Sequence, residues 1–275
     1  MKKNVFILAL VALMTAGCAG EFNKVYKSTD ADYKYEYAKE AFARGKFQQA
    51  STLLEELITI KKGSDEAQEC LYMLAMAQYC NADFDVASAT FRKYCSSYPR
   101  GIYAESAYFF IGQSLYESAP EPRLDQTPTV GAINAYQQFL DLFPDSKQRG
   151  EAQKRLYELQ DKLVTKELLS AELYYNLGGY FGNINKNDES NYTSCIITAQ
   201  NALKQYPYSK SREAFSLLIM KSKYELAKNS TEDRRLDRYR DAEDECYGFI
   251  NEFPDSKNVA LAQKYIARCK KVIKD

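Results

Sequence analysis

The sequence of 275 residues contains no histidine and no tryptophan. Without histidine there is no imidazole to act as general base or metal ligand, and no Ser-His-Asp or Cys-His constellation. An excess of one charge is missing too: Lys+Arg and Asp+Glu are both 37, so no global positive field exists to hold nucleic acid. No glycine-rich phosphate loop occurs, since Gly178-Gly179 lies late in a stretch with helical periodicity. No cysteines stand at Cys-x-x-Cys spacing, which with the lack of histidine leaves zinc without a ligand set. Carboxylate pairs fall on exposed helical faces, without a pocket to raise a pKa. The chain is therefore expected not to be an enzyme and to carry no cofactor and no metal.

What remains abundant is aromatic, with 23 Tyr and 14 Phe. Hydrophobic residues make up 45% and charged residues 27%, the balance of a folded chain rather than a disordered one. Such a composition favours binding over catalysis.

The N-terminus reads as an address. Lys2 and Lys3 are followed by an apolar run from Val5 to Met14, too short to span a bilayer, and then by Thr15-Ala16-Gly17-Cys18. Small residues ending at a cysteine resemble a bacterial lipobox, with Thr15 in place of the usual leucine. The resemblance implies a signal peptide over residues 1–17, lipidation of Cys18 and a tether over 18–30. Acyl chains at about 0.8 kcal/mol per buried CH₂ would hold such a protein on a leaflet. Ala19, rather than Asp, suggests by the same resemblance the outer membrane.

Beyond residue 30 the chain repeats itself. One phrase recurs four times: Tyr98-Pro99, Phe143-Pro144-Asp145-Ser146, Tyr206-Pro207-Tyr208-Ser209 and Phe253-Pro254-Asp255-Ser256. Proline ends one helix, and the Ser or Asp after it can cap the next. Twelve residues before each Pro lie Ala87, Ala132, Cys195 and Ala242; eight before lie Phe91, Tyr136, Ala199 and Cys246. Small residues let paired helices approach. Gly45-Lys46-Phe47 and Ala82-Asp83-Phe84 mark a second kind of turn, inside the pairs.

This frame resembles the tetratricopeptide repeat. It predicts an all-α superhelix of five helix pairs, over 31–65, 66–100, 101–148, 165–209 and 210–256. An extra helix is expected at 149–163 and a capping helix at 257–273. Insertions are expected at 119–128, 183–191 and 229–237. A concave binding surface follows from the repeat class.

In that class the first helix of each pair lines the concave side. Tyr35, Tyr72 and Phe109 are 37 residues apart, and so are Phe42, Tyr79 and Tyr116, seven places further along. A step of seven is two helical turns, so two aromatic rows are expected along one face. They are either inter-helix packing or a groove for a flexible, apolar peptide. Residues 31–148 are read as this client-binding part and 149–275 as a docking part. The latter carries a basic tract, with Lys204, Lys210 and Arg212 as candidate docking residues, followed by the charged run 232–241. Cys195 and Cys246 are expected to be buried thiols, and Cys80 with Cys95 is the close pair to check for a disulfide.

Lipobox, tether and five such pairs together resemble the BamD family, the outer membrane lipoproteins of the β-barrel assembly machinery. The resemblance implies a non-enzymatic scaffold facing the periplasm. Its partners would be unfolded outer-membrane protein segments, POTRA domains of the barrel insertase, and other machinery lipoproteins. The alternatives are an envelope adaptor coordinating cell-wall synthesis or division, or a glycan-binding lipoprotein.

Overall fold

A computed structural model describes residues 20–178 and 190–274, so the expected signal peptide, Cys18 and most of the 183–191 insertion lie outside the described residues. Among the described residues there are 12 helices and no strand. None of these helices is long and apolar enough to cross a membrane. After α1 (residues 20–26) come five pairs. They are α2 (Ala31–Ala43) with α3 (Phe47–Ile60), α4 (Asp65–Cys80) with α5 (Phe84–Ser97), and α6 (Ala104–Ser118) with α7 (Thr127–Leu142). Then follow α8 (Arg149–Leu177) with α9 (Asn191–Gln205), α10 (Arg212–Lys228) with α11 (Glu232–Glu252), and α12 (Val259–Lys274) as a closing helix. The described residues are all-α, built from the helix pairs that the repeat frame predicts.

The turns show the repeat at backbone level. Each aromatic residue before a proline ends its helix in one conformation: Tyr98 at φ −133°, ψ 66°; Phe143 at −129°, 64°; Tyr206 at −126°, 64°; Phe253 at −128°, 64°. Each is turned out of the helical region, which a following proline disfavours for the residue before it. The serines act differently from the expected helix caps. Ser146, Ser209 and Ser256 stand three residues before their helices. Each Oγ accepts from the N–H two residues on, at 3.1, 3.1 and 3.0 Å. They shape the turn, as short hydroxyl side chains do. The inner turns match as well, with Gly45 at φ 73° and Ala82 at φ 63° in equivalent places.

Burial follows the frame. Ala87, Ala132, Cys195 and Ala242 are all 0% exposed, and so are Phe91, Tyr136, Ala199 and Cys246. Small side chains at the crossing bring the helices together, and the second set closes the space between them.

The chain divides into two compact units, Met1–Pro120 with Gln126–Leu159, and Glu121–Asp125 with Gln160–Asp275. In the first, α2, α3 and α4 share a core of Ala38, Leu53, Leu57 and Leu74, α4 to α6 one around Phe91 and Tyr94, and α6 to α8 one around Phe109, Tyr136 and Leu159. In the second, Val164, Ala171, Cys195 and Phe215 join α8, α9 and α10, while Met220, Cys246, Phe249 and Ile266 join α10, α11 and α12.

Four expectations need correction. The tether is not all loose chain: α1 folds over 20–26, with Val25 fully buried in the core of the first pair. The separate helices expected over 149–163 and from 165 are one helix, α8, because no Pro or Gly interrupts residues 151–177. The charged run placed in an insertion over 229–237 is the start of α11, which Thr231 precedes and Glu232 and Asp233 open with the charge that a helix N-terminus favours. The 119–128 insertion is shorter than expected, since Pro128 sits in the first turn of α7.

Candidate partner-binding surfaces

The first helices carry the aromatic rows. Tyr35 and Phe109 are 7% and 6% exposed, so these two rings are largely core rather than groove wall. Phe109 meets Phe139 and Tyr136 of α7 edge-on, with centroids 5.5 and 5.9 Å apart. Tyr72, at the middle of that row, is half-buried and stacks on Tyr103 at 4.4 Å. In the second row Phe42, Tyr79 and Tyr116 are all half-buried. Phe42 and Tyr79 repeat one contact, to Phe47 at 5.4 Å and to Phe84 at 5.5 Å, the aromatic of each inner turn.

The hydroxyls explain why these are tyrosines. Tyr35 on α2 donates to Glu69 on α4 at 2.7 Å, and Tyr72 on α4 shares a hydrogen bond with Ser106 on α6 at 2.7 Å. Tyr116 on α6 donates to Glu158 on α8 at 2.7 Å and accepts from Arg155 at 2.8 Å. The Arg155 guanidinium also lies 4.4 Å over the Tyr116 ring. Each tyrosine thus fills a seam between successive first helices and ends in a polar partner on the next one. In the second unit Tyr175 lies under Lys221 at 4.4 Å, and Tyr224 stacks on Tyr265 at 3.9 Å, repeating the device from α8 to α10 and from α10 to α12.

Ionisation follows from these contacts. Burial raises the Tyr35 phenol well above its ordinary value, reinforced by Glu69; burial likewise raises Tyr72, Tyr79 and Tyr116. The hydrogen bond from Tyr116, helped by Arg155, holds the Glu158 carboxyl below the usual range. The tyrosines of the rows therefore stay neutral at physiological pH, beside the half-buried Glu69, Glu158 and Arg155.

Sequence reasoning missed the partners of the tyrosines. Glu69 and Ser106 are 37 residues apart in the frame, which was a usable signal. The reach of a side chain to the next repeat was not legible.

Of the docking candidates, Lys204 and Lys210 are exposed and Arg212 is not free. Arg212 donates to the Pro207 carbonyl at 3.0 Å and pairs with Glu252 through Nε at 3.0 Å. Arg149 makes the same bond to the Pro144 carbonyl at 2.7 Å. Arg212 is a turn clamp shared by two copies. The six cysteines from Cys70 to Cys269 are free thiols, so Cys80 and Cys95 form no disulfide.

A family model described as YfiO, outer membrane lipoprotein, matches residues 27–190. The chain belongs to this family. The match takes in the aromatic rows and stops before Lys204, Lys210 and Arg212. Among similar proteins, outer membrane protein assembly factor BamD of Caulobacter vibrioides is 23% identical over 172 residues, covering 62% of this chain and 56% of that protein. BamD of Neisseria gonorrhoeae is 25% identical over 190 residues, covering 65% and 71%. The chain thus spans a little over half the length of the Caulobacter relative. A solved structure, the TPR2AB-domain:pHSP90-complex of yeast Sti1, covers 89% of this chain and 84% of its own at 16% identity, with a TM-score of 0.39. The family shown is the one that the lipobox and the helix pairs resemble.

Proposed function

We propose that this protein is a lipid-anchored scaffold of outer-membrane protein assembly, which holds unfolded outer-membrane protein segments against its first three helix pairs. The observation that carries the reading is the row of half-buried rings at Phe42, Tyr72, Tyr79 and Tyr116, in a member of an outer membrane lipoprotein family. Tyr35 and Phe109 support the row from beneath rather than touching a client. A half-buried tyrosine offers an apolar edge and stays wettable when empty. Engaged rings adding roughly 0.5–1.5 kcal/mol each suit weak, reversible capture of many sequences. Lys204 and Lys210 are the residues through which the second unit docks on a POTRA-containing insertase or a companion lipoprotein, with charge setting register and on-rate.

The test is crosslinking of a C-terminal outer-membrane protein peptide to the purified protein. Tyr72→Ala with Tyr79→Ala is expected to weaken capture on the order of tenfold, the worth of two ring contacts. Tyr72→Phe keeps the ring, loses only the Ser106 bond, and is expected to keep capture. Unchanged crosslinking in the double variant, with helicity retained, would assign both rings to packing alone.

A further inference from the structure

Seven residues expected to be slack chain instead form α1, and their contacts are specific. Val25 is 0% exposed among Tyr37, Leu54 and Leu57 in the core shared by α2 and α3. Phe22 lies 6.4 Å from the Tyr37 ring and 5.9 Å from Tyr26. The link to α2 is closed as well. Ser28 N–H donates to the Val25 carbonyl at 3.0 Å, Asp30 N–H to Ser28 Oγ at 3.1 Å, and the Asp30 carboxylate caps α2 through Tyr33 N–H at 3.0 Å. No free length remains between residue 20 and the first helix pair.

We infer that α1 is a latch that shortens the lipid tether to about two residues and seats the first helix pair on the headgroup layer. The inference rests on the lipidation of Cys18 within the proposed function. From Cys18 to Gly20 there are two peptide steps, at most about 8 Å. A headgroup layer is about 5–8 Å thick, so Gly20 sits within it or at its edge. A free chain over residues 18–30 would instead reach about 45 Å. The exposed side of α1 and the start of α2 present Lys24, Tyr26, Lys27 and Tyr33, with Tyr26 and Tyr33 at 49% and 40% exposure. Tyrosine rings and lysine stems are the side chains that lie between headgroups and water. Glu21 and Asp30 stand exposed beside them, so the contact is set by reach rather than by net charge. The occupant of this surface is the leaflet that holds the anchor, and the latch fixes which end of the first unit faces it.

The absence of tryptophan supplies the probe. Tyr26→Trp gives the full-length lipoprotein a single indole, which is reconstituted in phosphatidylethanolamine–phosphatidylglycerol vesicles containing headgroup-spin-labelled lipid. Intact mass reports acylation of Cys18. Strong quenching is expected, insensitive to salt, and several-fold weaker after a flexible segment of about twelve residues is inserted between Ala19 and Gly20. Weak quenching in an acylated protein, or quenching that the insertion leaves unchanged, overturns the latch and spares the anchor. A mass without acyl chains overturns both. The insertion lies outside every described contact of the first pair, so circular dichroism should read the same helicity with and without it.

Discussion

Ala82 holds φ 63° where Gly45 holds 73°, and only the glycine does so without a Cβ pressed on the backbone. Ala82→Gly is expected to stabilise the first unit by about 1 kcal/mol, read as a higher urea midpoint. A lower midpoint would mean that the turn is not in the left-handed region. Lys34 is 3% exposed and is held by Glu56 at 2.6 Å, so Glu56→Gln leaves a buried ammonium without its counter-charge. The thiols give a pH prediction. Burial pushes Cys70 and Cys269 up to about 11 and Cys246 up to about 12, from an ordinary 9.0. Tyr94 is pushed up to about 12, also by burial. A pKa raised on folding favours the folded state below the unfolded value and loses that contribution as pH climbs through the folded one. The melting temperature should therefore hold on the alkaline side to about pH 9 and fall between pH 9 and 12. A flat profile to pH 12 would place those thiols in water.

The helices show what was legible beforehand. All four proline phrases became turns of one geometry, because proline acts locally and needs no tertiary context. The boundary expected near residue 164 failed for the opposite reason: the spacing suggested a new repeat, but nothing in residues 151–177 breaks a helix. α1 was read as tether because one buried Val and one Phe are too few to show periodicity, and only the core of α2 and α3 gives them a place. The aromatic rows were legible as positions and not as directions. Tyr35 and Phe109 turn toward the core while Tyr72 stays half-buried, and a period of 37 cannot separate these outcomes. At this scale the basic tract also divides. Arg212→Glu should lower the stability of the second unit, since it opens the bond to Pro207 and repels Glu252. Charge reversal at exposed Lys204 and Lys210 should leave melting unchanged while loosening a docked partner in a salt-dependent way. A complex indifferent to both lysine changes removes that docking proposal.

The whole molecule joins two compact units with equal numbers of acidic and basic side chains. Long-range steering of a highly charged partner is therefore weak, and selectivity rests on local surfaces. Each unit builds its seams with tyrosines that reach a polar partner on a following helix, as Tyr72 does with Ser106 and Tyr224 does by accepting from Arg268 of α12 at 3.5 Å. That construction gives a structural role to Tyr35, Tyr72, Tyr116, Tyr175, Tyr224 and Tyr265. The central claim, that the chain holds other polypeptides at the outer membrane, is tested most directly by affinity purification from solubilised outer membranes. The account predicts recovery of a POTRA-containing barrel protein together with unfolded outer-membrane protein; recovery of cell-wall enzymes alone would contradict it.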